Sequence, residues 1–294
     1  MIPFAGCFQP KHRQPREGDL VFVGLPEDSR SSFARGAAAA PRRLREAYDG
    51  RCFNSSSESG VDLAGRVLDL SDWPARSDWK ETRQFYRGGA ASLWARGAVP
   101  FFVGGDHAVT IPLGEALAEL KRPVHVIQVD AHPDLYPEFG GDRDSHACTA
   151  SRLLEQDHVA SLTQIGVRAF DSLQRRQAED WGDRLKIIEA GASGAESSTS
   201  LPYPQWIPED ALVYLTLDID ALDPAFAPGV SHPVPGGLNS RQMLDWLGRF
   251  PWRLAGMDLV EVNPSRDLND LTSITAARLL HQAMASQAER APIR

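Results

Sequence analysis

Residues 130 to 136 read DAHPDLY and place Asp130, His132 and Asp134, three groups able to ligate a metal, within five residues. They follow the short apolar run Val124–Val129, which is rich in β-branched residues and reads as a buried strand. Two carboxylates and an imidazole at a strand end repel one another or solvate poorly unless a positive charge gathers them. Three further clusters sit in the same kind of place. GGDHAVT follows VPFFV and supplies His107. DIDALDP follows LVYLTL and supplies Asp218 and Asp220. VEVNP follows LAGMDL and supplies Glu261.

Alone, each cluster has a plain reading. GGDH is a tight turn with a capping aspartate, and it is neither a dinucleotide fingerprint nor a phosphate loop. DAHPD is a solvated turn kinked by Pro133. DID is a helix cap, or the D-x-D of a nucleotide-sugar enzyme. Together, four aspartates and two histidines end three different strands, and neighbouring parallel strands lie only about 5 Å apart. Carboxylates and imidazoles without a thiol suit harder divalent ions such as Mn²⁺ better than structural zinc. Six groups exceed what one ion with an open position takes, but they suit two ions about 3.5–4 Å apart that share a water and turn it into a hydroxide nucleophile.

The elements that must position these groups alternate along the chain. Strands are expected at 19–25, 66–70, 99–105, 123–130, 161–167, 185–190, 211–220 and 252–262. Helices are expected at 38–48, 78–97, 107–121, 171–182, 240–250 and 271–289, with Pro41 near the first start and Asp78 and Asn239 as N-caps. Gly88 and Gly89 weaken the second helix. The polar stretches 51–60 and 191–205 read as loops. This rhythm predicts an α/β fold, a three-layer sandwich with a mainly parallel sheet of about eight strands flanked by helices. No Pro/Gly linker divides it, so residues 1–294 are read as a single domain. In such folds the site lies beyond the carboxyl ends of the strands, where all four clusters fall.

Composition narrows the function classes. The net charge is −8 and no long basic run exists, which argues against a nucleic-acid footprint. No stretch approaches the length of a membrane span, and the N-terminus does not read as a signal peptide. Cys7, Cys52 and Cys148 are odd in number and widely spaced, so free thiols in a reducing, cytoplasmic compartment are expected.

GGDHAVT, DAHPDLY, LDIDALDPAFAPGVSHPVPGG and MDLVEVNP, in this order, resemble the ureohydrolases: arginases, agmatinases and related guanidino-compound hydrolases. The likeness extends to GLPEDSRSSFARGAAAAPRRLREAY, SHACTASRLLE and IGVRAF and covers nearly the whole chain. DPAFAPGVSHPVPGG is most similar to the plant-type arginases and their bacterial relatives. The resemblance implies an arginase-like sandwich with two Mn²⁺ ions per chain, one on His107, Asp130, Asp134 and Asp218 and the other on Asp130, His132, Asp218 and Asp220. It makes His146 a proton shuttle, Glu261 the partner of the substrate guanidinium, and Asp134 a further holder of the hydroxide. It also implies a small guanidino substrate and a homo-oligomer, a trimer or hexamer.

The chemistry agrees: a resonance-stabilised guanidinium carbon needs a true hydroxide, the departing amine needs a proton, and a histidine titrating near neutrality suits that delivery. Other readings stand beside this one: a formiminoglutamase-type amidine hydrolase, a one-metal amidohydrolase, a non-catalytic binding protein and a D-x-D glycosyltransferase. The complete ligand set weighs against the last three.

Some residues keep two readings. His232 lines the entrance or is a loop histidine packed by Pro233. Asp142 and Asp144 are solvated loop charges or contacts for a cationic tail, and Asp171 is an N-cap or a contact for an α-amino group. His125 reads as a core or lining residue, and nothing marks Cys148 as a nucleophile. Tail recognition falls on loops around 136–146, 170–175 and 191–206. The plant-type signature favours arginine, while the absence of the Thr-rich loop of animal arginases after DAHPD argues against it.

Overall fold

The computed structural model describes residues 3–9, 13–192 and 201–290. Eight strands form one sheet: β1 Leu20–Gly24, β2 Val67–Asp72, β3 Val99–Val103, β4 Val124–Val129, β5 Val159–Val167, β6 Leu185–Glu189, β7 Leu212–Asp218 and β8 Arg253–Val260. Their order is β2-β1-β3-β8-β7-β4-β5-β6, and every neighbouring pair is parallel. The expected sheet is therefore present, and it is parallel throughout.

Alternation builds the two faces. Within β1, Leu20 and Phe22 join one core, and Val21 and Val23 join the other. The first core packs against α1 (Ala40–Ala47), α6 (Ser240–Gly248) and α7 (Leu271–Ala288) through Leu44, Met243, Trp246 and Leu279. The second packs against α2 (Trp79–Ala95), α3 (Thr110–Ala116) and α4 (Thr149–Leu154) through Tyr86, Leu93, Leu113 and Leu153. Strands covered on both faces explain why their sequences read as continuous apolar runs.

The expected caps are in place: Asp78 accepts from the Glu81 N–H, and Asn239 forms a capping box with Gln242. Gly89 does not break α2, and a Cβ there would meet the Trp73 ring, whose nearest atom lies at 2.5 Å. Two differences stand out. The helix expected at 107–121 is three pieces, a 3₁₀ turn at His107–Val109, then α3, then a 3₁₀ turn at Leu117–Leu120. The short α4, unassigned in the sequence, follows a 3₁₀ turn at His146–Cys148.

Register brings the chemistry together. Val103 pairs with Leu259, Asp218 with Val260, and Val129 with Leu217, so β3, β8, β7 and β4 end level and adjacent. β3 lies beside β1, yet β4 lies three places further along, beyond β8 and β7. The four clusters thus leave the carboxyl edge of four neighbouring strands at the point where the winding changes direction, the usual place for a ligand in such sheets.

Candidate metal centre

His107 and the aspartates after β4 gather at the carboxyl edge of the sheet. His107 Nδ1 lies 2.9 Å from Asp134 Oδ2, 3.1 Å from Asp130 Oδ2 and 3.5 Å from Asp218 Oδ2. His132 Nδ1 lies 3.0 Å from Asp220 Oδ2 and 3.7 Å from Asp130 Oδ1. Two tight groups result: His107, Asp130 and Asp134, and Asp130, His132 and Asp220. Asp130 belongs to both and turns one oxygen toward each. Asp218 stands slightly apart, in neither tight group, and its Oδ1 accepts from the Asp220 N–H at 2.9 Å.

Local structure holds the ligand atoms. Asp130 accepts from the His132 N–H at 2.6 Å and from Gln128 Nε2 at 2.7 Å, and Gln164 in turn donates to Gln128 Oε1. Asp134 sits at φ +50°, a left-handed conformation uncommon outside glycine that aspartate adopts more readily than most residues. Its carbonyl accepts from the Ala150 and Ser151 N–H groups of α4, and the next residue, Leu135, donates to Gln174. Gly105 lets the β3 turn approach the Glu27 carbonyl, which lies 1.9 Å from where a Cβ would stand.

The bonding of His107 tests whether a cation fits. Asp258 accepts from the Tyr214 hydroxyl and from the Thr216 hydroxyl, each at 2.6 Å. The hydrogen of Thr216 is thereby committed, so its oxygen accepts from His107 Nε2 at 2.9 Å. Nδ1 is left as a lone pair with no hydrogen-bond partner among the described residues, facing three carboxylates. A lone pair aimed at anionic oxygens is repulsive unless a cation lies between them, and a histidine fixed through its other nitrogen is the usual metal-ligand arrangement.

The electrostatics carry the same message. Burial and the charges of Asp220 and Asp130 push the Asp218 carboxyl well above its ordinary range, and burial with Asp130 raises Asp134. Burial acts to lower His107, but the carboxylates of Asp130 and Asp134 that face Nδ1 push its pKa well above the ordinary value, so this nitrogen draws either a proton or a cation. Burial likewise opposes His132, and Asp220 and Asp130 lift it to about 11. Asp130 ends below its usual range, because burial is outweighed by the two imidazoles. The protein's own groups leave an excess of negative charge that binds protons or cations.

Above this cluster opens a cleft of about 160 Å³. Its inner wall includes His132, Asp134, Asp218, Asp220, His146 and Glu261. Glu261 also has positive φ, +63°, and its N–H is pinned to the Gly105 carbonyl at 2.8 Å. Its Oε1 accepts from the His107 N–H at 3.0 Å and lies 3.2 Å from His146 Nδ1. Its buried Oε2 has no partner among the described residues. Burial works to lower His146, but the Glu261 carboxylate raises it to about 9.

A family model described as the arginase family matches residues 18–286. The chain belongs to the arginase family. Members of this family are hydrolases that act on carbon–nitrogen bonds of amidines. Arginase 1, mitochondrial, of Arabidopsis thaliana is 34% identical over 274 residues, covering 90% of this chain and 79% of the relative. Agmatinase, mitochondrial, of Gallus gallus is 30% identical over 277 residues, covering 90% and 80%. The solved arginase of Medicago truncatula superposes with a TM-score of 0.80 at 31% identity, covering 92% of this chain and 87% of that one.

Within this arginase-family site the remaining candidates find their places. His232 lines the cleft, its ring centroid 5.1 Å from that of His146 and 6.0 Å from that of His132. Asp142 pairs with Arg30 at 2.8 Å, and Asp144 accepts from Trp79 Nε1 and Arg83, so both serve the loop rather than stand free. Asp171 caps α5 (Ser172–Trp181) and accepts from the Tyr136 hydroxyl at 2.6 Å. His125 lies in β4 with Nδ1 2.8 Å from Ser161 Oγ. Burial pushes the Cys148 thiol up to about 12, which removes it as a nucleophile. Of the loops expected to read the substrate tail, the first supplies Tyr136 and Phe139 and the second Gln174. Residues 193–200 of the third lie outside the described residues.

The sequence reading passed over Tyr214, Thr216, Asp258 and Ser32. A signal existed for Asp258, because a carboxylate inside an apolar run that reads as a buried parallel strand must have partners. Ser32, in a loop far from the clusters in sequence, carried none. Among the described residues no helix is long and apolar enough to cross a membrane.

Proposed function

We propose that the chain is a binuclear-manganese hydrolase that cleaves the guanidino C–N bond of a small guanidino compound, releasing urea and an amine. The observation that carries this reading is the shared position of Asp130 between two ligand groups, below an unpartnered Glu261 oxygen. His107, Asp130, Asp134 and Asp218 would hold one ion, and Asp130, His132, Asp218 and Asp220 the other. The set of four carboxylates and two imidazoles without thiols favours Mn²⁺. When bound, such a cation pair makes water a nucleophile at neutral pH.

The chain's own residues do the rest. Glu261 Oε2 pairs with the planar guanidinium and orients its carbon toward the ligand cluster. Asp134, on backbone fixed by α4, accepts a hydrogen bond from the attacking oxygen and holds it in line. His146 delivers a proton to the departing nitrogen, so that the C–N bond breaks to a neutral amine. The cytoplasmic location, drawn from three free cysteines, and a homo-oligomer, a trimer or hexamer, belong to the same reading.

Urea release from agmatine, arginine and guanidino acids, measured with added Mn²⁺ and after exhaustive chelation, tests it. Activity that survives complete metal removal would overturn it. Release of formamide rather than urea, from a formimino substrate, would instead assign the formiminoglutamase reaction.

A further inference from the structure

His146 is gripped at both ring nitrogens. Nδ1 faces Glu261 Oε1 at 3.2 Å. Nε2 faces Ser32 twice: the backbone N–H donates to it at 3.2 Å, and the hydroxyl oxygen lies at 2.9 Å. The same hydroxyl lies 3.4 Å from His232 Nε2. Ser32 thus offers a donor and an acceptor to one nitrogen. A bare Nε2 takes the N–H, and a protonated Nε2 donates to the hydroxyl oxygen, whose own hydrogen then points to His232. A group that gives up a proton and takes one back passes through both states. With Ser32 in place the ring needs no reorientation between them.

The loop that carries Ser32 is itself fixed on either side. The Arg30 N–H donates to Asp106 Oδ2 at 2.8 Å, and the Arg30 guanidinium pairs with Asp142. The Ala34 carbonyl accepts from Ser231 Oγ at 2.6 Å and from Asn263 Nδ2 at 2.9 Å. Ser231 adjoins His232 in sequence, so one segment secures both the loop and the second imidazole.

We propose that Ser32 is a positioning residue that keeps the His146 imidazole aligned on Glu261 in both protonation states, with its hydroxyl bridging to His232. This rests on the reading of His146 as the proton donor. As the C–N bond breaks, its electron pair stays on the leaving nitrogen and the proton moves there from Nδ1. Water supplies the proton that returns to His146. The net change is guanidinium plus water to urea plus a neutral amine and one proton, which the released amine takes up as alkylammonium, so atoms and charge balance.

A double-mutant cycle tests the proposal. Ser32→Ala should lower kcat about tenfold, the kinetic equivalent of one lost hydrogen bond, with KM, manganese content and Tm near those of the native enzyme. Ser32→Thr, which restores the hydroxyl, should recover most of kcat. In the His146→Ala background, Ser32→Ala should cost nothing further. If the serine change costs the same factor in both backgrounds, or nothing in the native one, the proposal fails. Should the alanine variant be unstable, Ser32→Cys supplies the same comparison. If His146→Ala is itself fully active, it is the reading of His146 that fails, an outcome distinct from the others.

Discussion

Thr216 and Asp258 are register partners on β7 and β8, with the Thr216 hydroxyl donating to the Asp258 carboxylate at 2.6 Å. That bond decides the chemistry of a third residue. With its hydrogen committed, Thr216 can only accept from His107 Nε2, and Nδ1 of His107 becomes the bare nitrogen over the aspartates. The pair therefore acts on the candidate metal centre without belonging to it. Thr216→Val preserves shape and removes the link. It should weaken manganese binding about 10–100-fold, the usual cost of losing such an orienting partner. Calorimetric titration of the metal-free variant with Mn²⁺ measures this, and an unchanged Kd would sever the link between Thr216 and the centre.

Metal removal should be visible without any assay of turnover. Four carboxylates meet at the carboxyl edge of the sheet, and burial with mutual repulsion already raises Asp134 and Asp218. A ligand that binds only the folded chain at 100 times its Kd stabilises by about 2.7 kcal/mol, about 4 °C in Tm for a domain of this size. Chelation should lower Tm by that order, and added Mn²⁺ should restore it. Equal melting curves with and without chelator would leave the cluster without a resident ion.

The fold was legible because its signals are local. Each strand is a short apolar run ending in a turn, and all eight are where such runs lie. The ligand residues were legible for the same reason, since each follows a strand directly. What stayed hidden depends on pairing between distant segments. Ser32 reaches His146 across 114 residues, and Thr216 reaches Asp258 across 42. Neither the order of the strands nor their register is written in any one stretch. The three-piece segment 107–120 was read as one helix because its apolar spacing continues across the changes of winding.

A buried histidine far from the cleft should govern part of the acid response. His281 in α7 lies 2.9 Å from the Tyr48 hydroxyl and 3.1 Å from the Ser55 carbonyl, and burial lowers its pKa to about 4. The unfolded chain protonates this ring near pH 6.5, whereas the folded chain resists until about pH 4. Between these values the unfolded state binds more protons, so the contribution is full above about pH 6.5 and is lost as pH falls toward about 4. At most about 3 kcal/mol is at stake. Denaturant midpoints at pH 7 and pH 5, with chelator present throughout, should fall less in His281→Gln than in the native chain. Parallel losses in both proteins would assign the acid sensitivity elsewhere.

The cleft also bears on the substrate's tail. Among the described residues its lining contains Asp134, Asp218, Asp220 and Glu261 and no lysine or arginine. The nearby Arg30 is committed to Asp142, and Arg168 donates to the carbonyls of Asp220, Ala221, Leu222 and Val234. Tyr136 and Phe139 give the outer wall aromatic faces, which favour a cationic or apolar tail. Residues 193–200 read SGAESSTS and add no cation in sequence. Among the described residues a carboxylate on the tail therefore finds no ionic partner in the cleft lining. The value of kcat/KM for agmatine should exceed that for arginine by about tenfold or more, a difference of ~1.4 kcal/mol in transition-state binding. The difference should reside mainly in KM, because the tail lies away from the reacting carbon. Arginine matching or surpassing agmatine in a side-by-side urea assay would show that the tail carboxylate is recognised by neutral donors instead.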